Sequence, residues 1–210
     1  MYYSNKDIRE LDKVTRLKII NSITGIKPAN LIGTIDNDKL TNLAVFSSVV
    51  HLGSQPPLLG FIARPKTEDS GHTLRNIEQK GEYTINHIHP EFIAQAHYTS
   101  AKFDKNISEF DRCGFSEEYI GDFEAPFVKE SSVKMGLRLK EMIPIPLNGT
   151  TLVIGEIAHL LLPDFAYESD DINLEQLQST GISGLNSYYK LVKVAQHPYV
   201  RVEEVPDFNK

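Results

Sequence analysis

Residues 133–162 carry the pattern that most restricts the fold of this chain. Apolar residues alternate there with charged or small ones, which predicts a strand with one buried face and one solvated face; the two sets are Val133, Met135, Leu137 and Leu139 against Lys134, Gly136, Arg138 and Lys140. A turn follows at 146–149, where Asn148-Gly149 is a typical hairpin pair. Residues 151–162 are then the returning strand. Two strands joined by so short a turn pair antiparallel.

Four more segments have strand character, at 31–35, 40–52, 58–63 and 82–88. Helices are predicted over 6–23, capped by Ser4 or Asn5, over 74–80, and over 173–179, while 90–114 is helical or irregular. No repeat or linker divides the chain. We therefore predict a mainly β protein, an antiparallel barrel with peripheral α-helices, in one domain of residues 1–210.

Charge and cysteine content exclude several classes of partner. The 210 residues include 22 Lys and Arg against 28 Asp and Glu, a net charge of −6. Nucleic acid and anionic membranes require a basic face, so we expect neither as a partner. The single Cys113 permits no disulfide framework and indicates a reducing compartment. Because no segment is apolar enough for a signal peptide or a spanning helix, we expect a cytoplasmic protein.

Familiar catalytic and metal-binding motifs are missing. The chain has no Gly-x-Gly-x-x-Gly, no phosphate-binding Gly-x-x-x-x-Gly-Lys and no Gly-x-Ser-x-Gly, which disfavours Rossmann, P-loop and α/β-hydrolase chemistry. His87 and His89 would share one face of a strand, but only Glu91 lies near them in sequence. We interpret them as polar residues at a strand end and expect no metal site. Cys113, among acidic neighbours, is interpreted as structural.

Several short motifs nevertheless occur in a characteristic order. They are Gly33-Thr34, the Asn-x-Ala-x-Phe-Ser pattern from Asn42 to Ser47, Pro56-Pro57, Phe61-Ile62-Ala63-Arg64, Thr73-x-x-Asn76-Ile77, the strand 81–86, Ser100-Ala101-Lys102 and Ser108-Glu109-Phe110. Over about residues 16–162 the chain resembles the flavin reductase-like, FMN-binding split-barrel family, flavoredoxin type. One departure is that Ser183-Gly184-Leu185-Asn186 stands where that family often has an Arg-Leu-Gly-Gly-like segment.

The resemblance implies both a fold and an activity. The fold is an antiparallel FMN-binding split β-barrel of Greek-key type, and the activity is NAD(P)H-dependent flavin reduction, with hydride passing from NADH or NADPH to FMN, or to FAD. Because the flavin performs this chemistry, no protein acid or base is obligatory and we name no catalytic residue. The resemblance also implies a homodimer, for which a barrel edge and the N-terminal helix offer surfaces, and a partner oxygenase or electron-transfer protein. Two alternatives stay open, an FMN electron carrier without nicotinamide turnover and a barrel that binds another phosphate cofactor.

The strand from Asn42 onward is too polar for a purely buried strand. Backbone groups at a strand edge can read the pyrimidine edge of a flavin, and the family places its flavin along this strand. The candidate residues are Asn42, Ala44, Phe46, Ser47, Ser48 and Val49, with Thr34 on the neighbouring strand. For Phe46, a plain role as a core aromatic residue is the stronger interpretation.

The phosphate of FMN needs positive charge and free N–H groups. Thr73 is predicted as the cap of a helix whose N-terminus favours an anion, and Asn76 belongs to the same element. Arg64, at a strand end, could hold the phosphate through two parallel hydrogen bonds, and Lys102 could add a second charge. Spacing alone would leave Arg64 and Lys102 as solvated charges. The resemblance favours a binding role for Arg64 and leaves both interpretations open for Lys102.

Overall fold

The computed structural model describes residues 1–67, 71–168 and 171–208. Numbered along the chain, the strands are β1 (Lys27–Pro28), β2 (Asn30–Ile35), β3 (Thr41–Phe46), β4 (Val50–Ser54), β5 (Pro57–Ala63), β6 (Glu82–His87), β7 (Glu117–Glu118), β8 (Phe127–Val128), β9 (Lys134–Ile145), β10 (Thr150–Leu161), β11 (Tyr167–Glu168), β12 (Asp171–Ile172), β13 (Thr180–Ser183) and β14 (Ser187–Lys190). The α-helices are α1 (Asn5–Glu10), α2 (Lys13–Ser22), α3 (His72–Lys80), α4 (Ile93–Tyr98) and α5 (Glu109–Cys113). Short 3₁₀ turns lie at Pro90–Phe92, Asp164–Ala166 and Val202–Glu204.

Seven antiparallel strands form the main sheet, in the order β3-β2-β6-β9-β10-β5-β4. The two 12-residue strands β9 and β10 form its centre and carry two register shifts, which let the sheet coil. Smaller sheets join β1-β13-β14, β7-β8 and β11-β12. The six predicted strand segments are all present, and the predicted mainly β, antiparallel fold with peripheral helices is confirmed.

Two apolar cores lie on opposite faces of the sheet. Ile32, Phe61, Tyr83 and Leu137 fill the inner core, where α3 adds Leu74 and Ile77. The outer core lies under α4 and α5 and includes Leu31, Leu43, Ile88, Phe92 and Phe110. Since both faces of β2 are covered, every residue of that strand is buried.

Two sequence predictions at helices are wrong or incomplete. The predicted helix 6–23 is two helices, because the Asp12 side chain accepts hydrogen bonds from Val14 N and Thr15 N and starts a second helix. Ser4, one of the two proposed caps, does cap α1. Residues 173–179 form turns instead of a helix, and Gln178 has a φ of 52° there, which ends any helical run.

Two strand predictions also need correction. Residues 40–52 are two strands, β3 and β4, rather than one. The first half of β9 is buried on both faces. Lys134 is only 8% exposed, and its ammonium group binds Glu118. The rings of Phe123 and Phe127 lie against Gly136. The predicted solvated face therefore begins only at Arg138. The turn at 146–149 is as predicted, with Gly149 at a φ of 72°.

His87 ends β6 and joins it to the segment before β13. Its Nδ1 lies 2.9 Å from Ser179 Oγ, and burial lowers its pKa to about 4. The folded protein therefore holds this imidazole neutral, whereas the unfolded chain takes up a proton below about pH 6.5.

We expect acid to cost the wild-type protein stability at His87. As pH falls from about 6.5 to about 4, the free energy of unfolding should drop by on the order of 1–3 kcal/mol more than in His87→Gln, which cannot titrate. Urea unfolding at a series of pH values measures the difference. His51→Gln, at an exposed position, is the matched control and should follow the wild type. Parallel pH profiles for wild type and His87→Gln would contradict the assignment.

Candidate functional site

The two edges of the main sheet are consecutive in the chain. β3 and β4 lie at opposite ends of the strand order, yet only residues 47–49 connect them. A connection of that length spans about 14 Å at most between the strand ends. The sheet must therefore curl until its edges meet, which makes a barrel with a split between β3 and β4.

Ser48 fastens this connection to the barrel. Its hydroxyl donates to the carbonyl oxygen of Ile62 and accepts from the Ile62 N–H, both at 3.1 Å. Ser48 stands opposite Ile62 in the continuation of the β4–β5 register, where the side chain replaces backbone pairing. Ser48, a predicted site residue, thus holds the connection 47–49 against β5 at the split.

The other predicted residues of this strand line the barrel. Phe46 is half-buried and its ring meets Phe61 edge-on at 5.0 Å, which fits the interpretation as a core aromatic residue. Val49 packs against the same inner core. Ala44 and Ser47 are half-buried. Residues 44–46 at the end of edge strand β3, and residues 47–49 that connect it to β4, therefore lie at the split.

Four predicted site residues form one buried polar cluster. Asn42 Nδ2 donates to Thr34 Oγ1 at 3.3 Å and to Thr73 Oγ1 at 3.0 Å, and Asn76 Nδ2 donates to Thr34 Oγ1 at 3.1 Å. Each of the four is at most 8% exposed. We call Thr34, Asn42, Thr73 and Asn76 the Thr/Asn cluster. It joins β2, β3 and the first turns of α3, so the structure brings these four residues together.

The predicted cap of α3 is wrong. Helix α3 begins after Gly71, whose φ of 88° is readily adopted only by glycine, and no side chain among the described residues caps it. Thr73 is inside the helix, where its hydroxyl accepts the hydrogen bond from Asn42 instead. The N–H groups of the first turn have no intrahelical acceptor, so this end still favours an anion.

A cleft of about 420 Å³ opens beside the Thr/Asn cluster. Its walls are the turn after β2, one side of α3 and residues 105–107, and both Asn42 and Asn76 line it. Arg75 and Lys105 bring positive charge to the cleft, which Asp36 and Asp38 also line, and Arg75 donates a hydrogen bond to the Thr67 carbonyl oxygen. His72 lines it too, and partial burial together with the Arg75 charge lowers its pKa.

Arg75, Lys105 and His72 were not predicted. Arg75 and His72 are three residues apart on α3, and Arg75 lies inside the Thr73-x-x-Asn76-Ile77 motif, so helical spacing could have indicated both. Nothing in the local sequence marks Lys105.

The two predicted phosphate ligands lie apart from the cleft lining. Arg64 is exposed directly after β5, and among the described residues its side chain has no hydrogen bond or ion pair. The segment that it begins runs past α3, where Lys66 Nζ lies 2.6 Å from Glu78 Oε1. Lys102 is exposed between α4 and α5, and no contact joins it to the Thr/Asn cluster in the described part of the chain.

Helix α5 covers one half of the free edge of β3. Glu109, only 6% exposed, accepts the Leu43 N–H on Oε2 at 3.0 Å. Thr41 Oγ1 lies 2.7 Å from Ser108 Oγ and 2.6 Å from Glu117 Oε1. Burial raises the pKa of Glu109. These contacts take the place of a neighbouring strand up to Leu43. From Ala44 onward, no such side chain from the described residues is hydrogen-bonded to the edge.

Comparison with known proteins agrees with this architecture. The model of the flavin reductase-like domain matches residues 26–173, and the chain therefore belongs to the flavin reductase-like family. A split-barrel protein of Shewanella frigidimarina NCIMB 400, provisionally described as a flavin reductase, is 47% identical, with a TM-score of 0.91 over 95% of this chain and 100% of that chain. The barrel is accordingly a split barrel of that family.

Two more distant structures share the fold. Nitrilotriacetate monooxygenase component B from Bacillus cereus is 21% identical, with a TM-score of 0.84 over 94% of this chain and 98% of its own. Flavoredoxin of Desulfovibrio vulgaris (Miyazaki F) is 20% identical, with a TM-score of 0.72 over 95% and 98% of the two chains.

Within the described ranges, no group of three or more His, Cys, Asp and Glu side chains is placed to hold a metal ion. His87 and His89 instead have separate neighbours, Ser179 for the first and Phe92 for the second. None of the helices in the described ranges is both long and apolar enough to span a membrane.

Replacing Thr34 by valine tests the Thr/Asn cluster. Valine keeps the shape but removes the oxygen that accepts from Asn42 and Asn76, so two buried amide groups lose a partner. We expect a loss of about 1–3 kcal/mol in the free energy of unfolding, measured by urea denaturation. Thr34→Ser keeps the oxygen and should lose clearly less. Equal stability of the two variants would show that the hydrogen bonds contribute nothing.

Proposed function

We propose that the chain is an FMN-binding NAD(P)H:flavin oxidoreductase. Its membership of the flavin reductase-like family supports a role in flavin chemistry. The observation that carries the proposal is the uncovered strand edge at the barrel split, beside a buried amide cluster and a cleft with two cationic side chains. These features match the three parts of FMN, namely a flat ring, a polar chain and a phosphate.

The residues at the split would hold the ring and the polar chain. Backbone N–H and C=O groups from Ala44 to Val49 would pair with the pyrimidine edge, which presents both donors and acceptors. Thr34, Asn42 and Asn76 would face the ribityl hydroxyls, since asparagine both donates and accepts. Because these amides are already oriented by hydrogen bonds to threonine, little conformational entropy would be lost on binding.

The phosphate would lie at the N-terminal turn of α3. Arg64 and Thr73 are the proposed ligands, with Lys102 as a further source of charge, and the cleft adds Arg75 and Lys105. A guanidinium can form paired hydrogen bonds with a phosphate, and the helix N-terminus adds N–H groups. We propose FMN as the cofactor, with FAD as the alternative.

Bound FMN would accept a hydride from NADH or NADPH and deliver the electrons to an acceptor. The protein's own part would be positional, because the strand edge at the split would fix the ring. The likeness of fold to nitrilotriacetate monooxygenase component B favours a partner oxygenase as acceptor. The likeness to flavoredoxin favours a second candidate function, an FMN electron carrier without nicotinamide turnover.

Binding and turnover separate these functions. We expect the purified protein to take up FMN, seen as visible flavin absorbance and quenched flavin fluorescence, and to oxidise NADH or NADPH when free FMN is supplied. Tight FMN binding with no nicotinamide oxidation would identify the carrier instead. A protein that takes up neither FMN nor FAD would overturn the flavin assignment.

Arginine substitutions locate the phosphate. Arg64→Ala should weaken FMN binding about 10- to 100-fold in a fluorescence titration, because a charge-assisted hydrogen bond is lost. Riboflavin, which lacks the phosphate, should bind both proteins equally. Arg9→Ala, an exposed arginine on α1, is the matched control. If Arg75→Ala weakens FMN binding and Arg64→Ala does not, the phosphate lies in the cleft and the Arg64 assignment is wrong.

A further inference from the structure

The residues of strand β3 turn their backbone groups alternately to opposite sides. In an antiparallel strand, the N–H and C=O of one residue face one neighbour, and those of the next residue face the other. The Leu43 N–H points away from β2, because it donates to Glu109 Oε2 at 3.0 Å. Ala44 and Phe46 therefore use their backbone groups to pair with β2, and Val45 turns both of its own toward the free edge of the sheet.

Val45 is the first residue beyond Leu43 whose two backbone groups both face this edge. Among the described residues, neither its N–H nor its C=O has a hydrogen-bond partner on that side. An N–H beside a C=O complements an imide, which offers a carbonyl oxygen beside an N–H. The pyrimidine edge of a flavin is such an imide, so the ring position in the proposed function falls at Val45.

Glu109 brings a carboxylate to the neighbouring position on the same edge. It is only 6% exposed, and it holds Leu43, which is about 6.8 Å along the strand from Val45. Water screens a buried charge poorly, so two like charges at this separation repel each other much more strongly than in solvent. A ligand at Val45 that gains negative charge is therefore disfavoured by Glu109.

The carboxylate of Glu109 forms no ion pair with any described residue. Arg112 and Asp111 on the same helix are exposed, so water screens their charges. Glu117, the other carboxylate beside this edge, is also exposed and lies at Thr41, farther along the strand. Burial raises the pKa of Glu109, and the carboxylate carries its charge above that value.

Reduction changes the charge of a flavin. A hydride consists of two electrons and one proton, so FMN that accepts one gains one negative charge, and NADH or NADPH becomes NAD⁺ or NADP⁺. That charge lies mainly on the pyrimidine side of the ring, which is the side at Val45. We propose that Glu109 makes this site bind oxidised flavin more tightly than reduced flavin, an inference that rests on the proposed function. Reduced flavin would then leave for an acceptor, and oxidised flavin would replace it.

A purely structural role of Glu109 predicts a different result. If the side chain only held α5 on the edge of β3, its loss would weaken the binding of both oxidation states by the same factor. The ratio of the two dissociation constants therefore measures the effect of the charge and not that of the contact. The same ratio fixes the midpoint potential of bound FMN relative to free FMN.

Titration with oxidised FMN, and anaerobically with dithionite-reduced FMN, gives this ratio at about pH 8, well above the ordinary pKa of glutamate. We expect the wild type to favour oxidised FMN at least about tenfold. Glu109→Gln keeps an oxygen for the Leu43 N–H but removes the charge, and it should lower this preference at least about fivefold. Glu109→Asp keeps the charge and should stay near the wild type, as should Glu117→Gln at the exposed carboxylate.

Two results would overturn the proposal while flavin still binds. One is a wild type that binds reduced FMN as tightly as oxidised FMN, and the other is a ratio that Glu109→Gln leaves unchanged. Circular dichroism shows whether the variants fold, and if Glu109→Gln does not, the ratios of the wild type and Glu109→Asp still decide. A protein that takes up no flavin in either state contradicts the proposed function itself, and this proposal falls with it.

Discussion

The three-residue connection between β3 and β4 determines much of this structure. These strands are the two edges of the main sheet, so the short connection forces the edges together and leaves a split where backbone hydrogen bonding stops. The Ser48 hydroxyl then takes both hydrogen bonds of the Ile62 backbone that a paired strand would have used. A barrel closed by continuous pairing would have no free edge, and hence no backbone groups for a flat polar ligand.

Buried polar groups give the split a defined geometry. An unpaired amide or carboxylate in the interior is costly, so the Thr/Asn cluster and Glu109 are stable only while every hydrogen bond is made. Those bonds connect the consecutive strands β2 and β3 with α3 and α5, which are far from them in sequence. Residues that would contact a ligand are therefore fixed by the same contacts that hold the edge strand in place.

The sequence predicted the strands and much of the candidate site, and its errors have local physical causes. Alternation and turn residues indicated all six strand segments, but the break within 40–52 depends on contacts with Ile62, fourteen residues away. Thr34, Asn42, Thr73 and Asn76 came from the motif order, while their mutual hydrogen bonds depend on tertiary packing. Lys105 could not be predicted, because it has no periodic or motif signal. Glu109 lies in the Ser108-Glu109-Phe110 motif, but its hydrogen bond to the edge of β3 depends on tertiary packing. The burial of both faces in the first half of β9 was not predicted, because the side chains that cover it, Phe123 and Phe127, precede the strand and carry no signal of this contact.

The small sheet β1-β13-β14 connects the chain ends to the barrel. Ala29 N donates to the Thr180 carbonyl oxygen at 3.1 Å, and Thr180 in turn donates through N and Oγ1 to that of Ile88. Tyr188 on β14 packs edge-on against His97 of α4, with ring centres 5.9 Å apart. These contacts lie at the start of β2, the strand that carries Thr34. The small sheet is therefore in direct continuity with the strand that carries a candidate site residue, and the departure at Ser183 leaves its β13–β14 pairing intact.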